Sequence, residues 1–430
     1  MSTKQRIPAS KYFQHHGGSL HAESVPLDEI ASHIGTPAYV YSQASLHDAY
    51  RSVDAALAEM PHLVAYAVKA NGNLALLSRL AAWGCGADIV SGGELLRARE
   101  AGFAPDKIVF SGVGKTDAEI RLALETGIRS LHVESPAEIE VIERTAQDLG
   151  VTARIALRVN PDVDAGTHPY ISTGLQSSKF GIELGVAREL LPRLVQSKHV
   201  RLEGVACHIG SMVLSPEPIS DAVAITAAFA AECIGRGAPI STLDAGGGWP
   251  ILYGNEAADA ASHQVFGRAI IDGIRRGGAA DLGLTLMVEP GRALVGDAGV
   301  LLTRVLYVKE QGGKRFVIVD AAMTELIRPA LYSAYHAITP VAASSHERET
   351  PADVVGPVCE SSDFFAKDRP LPPLERGDLL AIRGCGAYSA SMGSNYNSRP
   401  LSPEVLVDGG GFQVVRTRQK LVDMWRDELK

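Results

Sequence analysis

The chain has 430 residues, a formal net charge of −8 and 46% apolar residues. That length exceeds what one ordinary core supports, so two domains are expected, and the interspersed charges, with no basic run, argue against nucleic acid and anionic membrane as partners. No apolar stretch approaches the roughly 20 residues of a membrane span, and the N-terminal "MSTKQRIPASKYFQHHGG" lacks the apolar core of a signal peptide.

From about residue 60 to 290, short apolar runs alternate with longer helical patterns. The strand candidates are "LVAYAV", "ADIVS", "KIVFSG", "SLHVES", "RIALRVN", "LEGVACHIG", "STLDAGG" and "TLMVEPG". Helical patterns lie between most of them, such as "GGELLRAREAG" (92 to 102) and "SPAEIEVIERTAQDLG" (135 to 150). In the second, Ser135 is placed as N-cap, Glu138 as the partner of a capping box and Gly150 as C-cap. Strands alternating with helices imply parallel pairing, and fully apolar strands fit a sheet buried on both faces. Eight such units predict a closed (β/α)8 TIM-type barrel. A doubly wound open sheet is the alternative, but its early GxGxxG is missing.

After residue 295 the texture changes. "AGVLLTRVLYVKEQGGKRFVIVDAA" reads as a hairpin turning at Gly312-Gly313. "GDLLAIRGCGAY" and "EVLVDGGGFQVVR" are again strand-like, with "DGGGF" as a hairpin turn, and "ASSHERETPAD" (343 to 353) reads as an exposed loop. The expected organisation is α/β: a barrel over 36–292 and a mostly β C-terminal domain over 293–430, joined by the N-terminal segment 1–35. The five cysteines, Cys85, Cys207, Cys233, Cys359 and Cys385, form no CxxC pair, which points to reduced thiols in the cytoplasm.

In such a barrel, functional groups collect at the carboxyl ends of the strands. "LVAYAVKANGN" (63 to 73) delivers Lys69 at the end of an apolar run. A lysine there is most often snorkelling to solvent, but a partly buried lysine can also attack a carbonyl as a neutral amine. Asp88 and Glu94 flank the end of the second strand, Arg158 lies at the end of the fifth and His208 at the end of the sixth. "DAGGGW" (244 to 249) follows the seventh and "EPGR" (289 to 292) the eighth. Each has a bland reading; their agreement on one rim does not. Gly246, Gly247 and Gly248 offer backbone N–H groups late in the barrel, where phosphate sites form. Lysine, phosphate nest and carboxylate together point to pyridoxal 5'-phosphate, which needs an amine for its aldehyde, donors for its phosphate and a partner for its pyridine nitrogen. Glu289 is the candidate nitrogen partner, His208 the candidate ring-stacking group, and Ser211 in "CHIGS" a further phosphate donor.

These segments are similar to those of the alanine-racemase-like class of pyridoxal-phosphate enzymes, and within it the chain resembles the diaminopimelate decarboxylases over about residues 35 to 425. "YAVKAN" resembles the cofactor-lysine motif, which implies that Lys69 holds the cofactor covalently. "YISTGLQSSKFGI" (170 to 182), "LIRPALYSAYH" (326 to 336), "CESSDFFAKDR" (359 to 369) and "YSASMGSNYNSRP" (388 to 400) resemble the diaminopimelate branch rather than the ornithine or arginine branches. Two departures stand out: "GGGWPILY" lacks a further glycine turn, and "GAYSASMGSNYN" lacks the usual aromatic. The resemblance implies catalytic roles for Lys69, His208 and Cys359, the last as proton donor across a homodimer interface. It implies cofactor contacts from Asp88, Ser211, Gly246, Gly247, Gly248, Glu289, Gly291, Arg292 and Tyr388. It implies substrate contacts from Arg292, Arg328, Tyr332, Glu360 and Tyr388.

Charge supports the substrate end of this resemblance. Diaminopimelate carries a distal carboxylate and ammonium; Arg292 and Arg328 offer a planar fork to the first and Glu360 an anion to the second. Two arginines would repel the lone distal ammonium of ornithine. A racemase shares barrel, lysine and cofactor, but such enzymes put an arginine at the pyridine nitrogen and continue the lysine motif with "YGHG", absent here. A non-catalytic cofactor carrier or decoy is expected to lose the β domain, the lysine or the cysteine, all of which remain. A metal enzyme is disfavoured because no HxH or HExxH spacing occurs.

Overall fold

The computed structural model describes residues 7, 10–164, 178–256, 260–343 and 349–428. Residues 170–177 of the "YISTGLQSSKFGI" segment and 344–348 of the expected loop lie outside these.

Eight parallel strands form the barrel: β1 His62–Ala67, β2 Gly86–Ile89, β3 Ile108–Phe110, β4 Ser130–Val133, β5 Ala153–Asn160, β6 Val200–Ala206, β7 Thr242–Asp244 and β8 Thr285–Val288. Each pairs with the next, and β8 returns to β1, so the sheet closes. The two-residue strand Ile182–Glu183 adds to β5 outside the ring. Every residue of β2, β3, β4 and β7 is buried, which is why these strands read as unbroken rather than alternating runs. All eight sequence runs became strands; only their ends moved. The first run stops at Ala67, so Lys69 stands in the single helical turn Val68–Ala70 just past it.

Helix Pro136–Leu149 has the expected ends: Ser135 Oγ accepts from the Glu138 N–H at 3.1 Å, and Gly150 adopts φ 68°. The expected capping box does not close. The Glu138 carboxylate instead accepts from Lys115 Nζ at 2.7 Å and from the Glu134 N–H at 2.8 Å. The Lys115 side chain is 1% exposed, and a buried ammonium needs a carboxylate beside it more than the helix start needs a second cap. A full capping box forms between Thr116 and Glu119, on the helix Asp117–Thr126.

Contrary to the expectation that no apolar stretch reaches a span's length, helix Glu217–Gly235, 19 residues long, is long and apolar enough to cross a membrane by length and composition. It is a barrel-wall helix: Ala222, Val223, Ala227, Phe229 and Ala230 are buried, and it packs against helix His263–Arg276 and strands β6 and β7.

The second unit is a mixed sheet. Its strands run in the spatial order Phe364–Leu371, Thr350–Val355, Lys314–Val319, Gly299–Gln311, Ala38–Ser42, Glu404–Asp408 and Gly411–Arg416. Strand Leu379–Ile382 also pairs with Gly299–Gln311. Both expected hairpins form, at Gly312-Gly313 and within "DGGGF". By contact, this unit takes residues 1–48, 251–259 and 294–430, and the barrel unit takes 49–250 and 260–293. Residues 36–48 fall with the sheet because Ala38–Ser42, wholly buried, lies antiparallel to Gly299–Gln311 and parallel to Glu404–Asp408.

Candidate active site

Barrel register brings the first two site residues together. Ala67 on β1 pairs with Asp88 on β2, and the chain then turns so that Lys69 Nζ lies 3.1 Å from Asp88 Oδ2. The Lys69 side chain is 36% exposed, whereas that of Asp88 is fully buried. A buried carboxylate is tolerated when a cation pairs with it. Asp88 Oδ1 has no hydrogen-bond partner among the described residues. Glu94 caps the same corner, its carboxylate accepting the Val90 N–H at 2.8 Å; burial raises its pKa.

Across the rim, the segments after β6, β7 and β8 interlock through main-chain bonds. The Cys207 N–H donates to Asp244 O, Ala245 to Met287 O, Glu289 to Gly246 O, and Ala67 to Pro290 O. A Cβ on Gly246, Gly247 or Gly248 would overlap the carbonyl oxygen of Cys207, Glu289 or Gly210 respectively. Gly246 and Gly248 also adopt positive φ, 68° and 96°. Glycine is therefore required here by close backbone approach. The amide of Gly246 donates to Asp244 Oδ1 at 2.7 Å and that of Gly247 to His208 Nδ1 at 3.3 Å. Two of the three amides read as a phosphate nest are thus engaged within the protein.

His208 accepts at Nδ1, and its pKa is held well below the usual value, by burial first and then by the charges of Arg158 and Lys69. The ring is a neutral flat surface. Arg158 is tied to Glu134 at 2.8 Å and lies over the Phe180 ring. Arg292 is buried and its Nη2 lies 3.3 Å from Ser211 Oγ; Gly291 beside it is also buried.

Glu289 is 8% exposed and sits in a cluster that the sequence reading missed. Its Oε1 accepts from Ser111 Oγ at 3.3 Å and lies 3.5 Å from His132 Nδ1. His132 Nε2 in turn lies 3.9 Å from Asp244 Oδ2. His132, Asp244 and Glu289 each bring one ligand-type atom within 4.8 Å of the others. Burial raises the pKa of both carboxyls; the negative charges of Asp244 and Asp88 push Glu289 further up. Burial and nearby cations lower His132 to about 3. Such a cluster has room for one more positive charge. The only signal in the sequence is that "SLHVES" and "STLDAGG" place a histidine and an aspartate inside otherwise apolar strands.

The remaining expected residues lie on the β unit. Arg328 opens the short helix Arg328–Tyr332 and is 6% exposed; its Nη1 lies 2.8 Å from His336 Nε2. Tyr332, at the end of that helix, is half-buried. Cys359 and Glu360 are exposed, and the Cys359 N–H donates to Asn397 Oδ1 at 2.9 Å. Tyr388 adopts φ 54°, an uncommon and costly conformation for an aromatic residue.

The donor set fits pyridoxal phosphate on the barrel rim: an amine beside a buried carboxylate, a glycine segment too tight for side chains, a neutral imidazole and a buried carboxyl cluster that favours an added cation.

Comparison with known proteins agrees with this geometry. A family model described as "Pyridoxal-dependent decarboxylase, pyridoxal binding domain" matches residues 43–296. A diaminopimelate decarboxylase of Pseudomonas aeruginosa is 48% identical over 97% of this chain and 98% of its own length. One from Neisseria meningitidis serogroup A is 47% identical over 96% and 99%. The crystal structure of the Helicobacter pylori enzyme complexed with L-lysine superposes with TM-score 0.89 at 44% identity, covering 93% of this chain and 98% of that one. A lysine/ornithine decarboxylase from Vibrio vulnificus, at 22% identity and TM-score 0.77, shares the fold. The chain belongs to the diaminopimelate decarboxylase family of pyridoxal-dependent decarboxylases.

Proposed function

We propose that the protein converts meso-2,6-diaminopimelate to L-lysine and carbon dioxide, the last step of lysine biosynthesis, using pyridoxal 5'-phosphate. The observation that carries this reading is Lys69 Nζ at 3.1 Å from the buried Asp88 carboxylate on the rim of a family barrel. Solved relatives from H. pylori and M. jannaschii complexed with L-lysine support the substrate.

Lys69 would hold the cofactor covalently, with Asp88 fixing its ammonium beforehand. His208 would lie against the ring, and Glu289 would face the ring nitrogen. Ser211, the 246–248 segment, Gly291, Arg292 and Tyr388 would take the phosphate. When bound, the cofactor supplies an electron sink for the pair left as carbon dioxide departs. Glu289 favours that state because a cationic neighbour satisfies a carboxylate that burial otherwise keeps protonated. Cys359 Sγ–H would return the proton to carbon. Arg328 and Arg292 would grip the carboxylate that does not react, Glu360 its neighbouring ammonium, and Tyr332 and Tyr388 would line the substrate.

Cys359 and Glu360 are exposed on the β unit, which supports a homodimer in which each copy completes its partner's site. The thiols of Cys85, Cys207, Cys233 and Cys385 are buried and unlinked, in keeping with a reducing cytoplasm.

Carbon dioxide release from an amino-acid panel should be strongest with meso-diaminopimelate. Losing one charge-assisted contact costs about 2 to 4 kcal/mol, so Arg328→Ala should lower kcat/KM by roughly 30- to 1000-fold with the cofactor spectrum retained. Turnover of ornithine or lysine in place of diaminopimelate would defeat the substrate assignment.

Mixing Lys69→Ala protein with Cys359→Ala protein should restore part of the activity, since a hybrid dimer holds one intact site. Proven subunit exchange with no recovery would rule out a shared site.

The raised carboxyls of Asp244 and Glu289 bind protons more tightly when folded than when unfolded. Their stabilising contribution is therefore full below the ordinary carboxylate range, about pH 4, and is lost as pH rises through the raised folded values. In cofactor-free protein, the urea midpoint should fall with rising pH less steeply for Glu289→Gln than for the unaltered chain. Parallel profiles would contradict the burial-driven shift of Glu289.

A further inference from the structure

The Arg328 guanidinium is held by residues outside its own helix. Its Nη1 lies 2.8 Å from His336 Nε2, and its Cζ sits 4.7 Å from the centroid of the Tyr253 ring. A guanidinium can only donate, so Nε2 of His336 must accept. On the other side of the imidazole, Nδ1 lies 2.7 Å from the carbonyl oxygen of Arg383, which can only accept. The two contacts together define one state: a neutral ring with its proton on Nδ1.

That ring has no freedom to rotate. His336 is fully buried, and the Tyr253 ring meets it edge-on at 4.8 Å and 70°. Gly384 admits the tyrosine, because a Cβ there would lie 2.9 Å from Tyr253 Cε1. The backbone on both sides is tied down. The Arg383 N–H donates to Ala337 O at 2.8 Å, and Arg369 Nη1 donates to His336 O at 2.7 Å. The Arg383 guanidinium is itself anchored on Phe13 O and Thr339 Oγ1.

We propose that His336 is a positioning residue for substrate recognition: as the Nδ1–H tautomer wedged between Arg383 O and Tyr253, it fixes the guanidinium plane of Arg328 so that the fork meets a carboxylate ligand already oriented. The inference rests on the assignment of Arg328 to the distal carboxylate. An arginine side chain carries large rotamer freedom, and freezing it before binding removes that cost from each binding event. The ligands affected are those bearing the distal carboxylate, which includes the product lysine through its α-carboxylate but not cadaverine, the diamine without one.

The test compares His336→Leu, His336→Asn and His336→Gln holoenzymes with Arg328→Ala. Glutamine keeps an acceptor near the Nε2 position, whereas asparagine reaches only the Arg383 side. Leucine and asparagine should raise KM for diaminopimelate, and Ki for lysine, about tenfold or more, equivalent to about 1.4 kcal/mol. Inhibition by cadaverine, kcat and the cofactor absorbance should change little. Glutamine should recover most of the loss. In the Arg328→Ala background, His336→Asn should add nothing further. If Arg328→Ala leaves KM unaltered, the assignment of Arg328 fails and the inference falls with it. If Arg328→Ala raises KM while the histidine variants do not, or their effects add in full, or cadaverine inhibition weakens equally, His336 is only a packing residue and the inference alone is overturned.

Discussion

A carboxylate with no access to water must be paired or protonated, and the architecture of the barrel rim follows from that constraint. Asp88 is fully buried and Lys69 is the cation beside it. The pairing depends on the register of β1 against β2, which sets Ala67 opposite Asp88 and lets a single helical turn carry Lys69 back over it. An amine held in this way is localised before any ligand arrives, and its 36% exposure leaves it open to an incoming aldehyde. At the ends of the neighbouring strands β7 and β8, Asp244 and Glu289 meet the same constraint by a different means. They answer it by holding protons above the usual carboxylate range, with neutral His132 between them. One rim thus carries a carboxylate paired with a cation and two carboxyls whose hold on their protons burial strengthens.

The β unit applies the same economy to a cation. Arg328 is buried at the start of a five-residue helix, where its charge is spread over the Tyr253 face and one imidazole nitrogen. Tyr388 is kept at φ 54° on the same unit. Both residues are costly to place, and both were singled out from sequence as substrate contacts.

The eight barrel strands were legible because strands buried on both faces leave unbroken apolar runs, and the turn residues between them punctuate the chain. The rim residues were legible for the opposite reason: Lys69, His208 and Glu289 interrupt those runs at their ends. What lay inside the runs was not. His132 in "SLHVES" and Asp244 in "STLDAGG" matter through each other, and they meet only when β4 and β7 face one another in a closed ring. Strand Ala38–Ser42 reads locally as one more apolar run; its place in the sheet is fixed by partners near residues 300 and 405. Glu138 shows the limit of local rules most clearly. The capping spacing was correct, but Lys115, 23 positions earlier in the chain, claims its carboxylate.

The glycines of "DAGGGW" were read for their amides, yet the structure shows that space is the harder demand. Their α-carbons press against three carbonyls of two neighbouring segments, so any side chain would part the rim. The sequence signal was right in place and incomplete in cause. The central claim, that Lys69 is the covalent seat of pyridoxal phosphate, is tested most directly by reducing the holoenzyme with borohydride and mapping the labelled peptide by mass spectrometry. The pyridoxyl label should appear on Lys69. A label on any other lysine, or one that persists unchanged in Lys69→Ala, would contradict it.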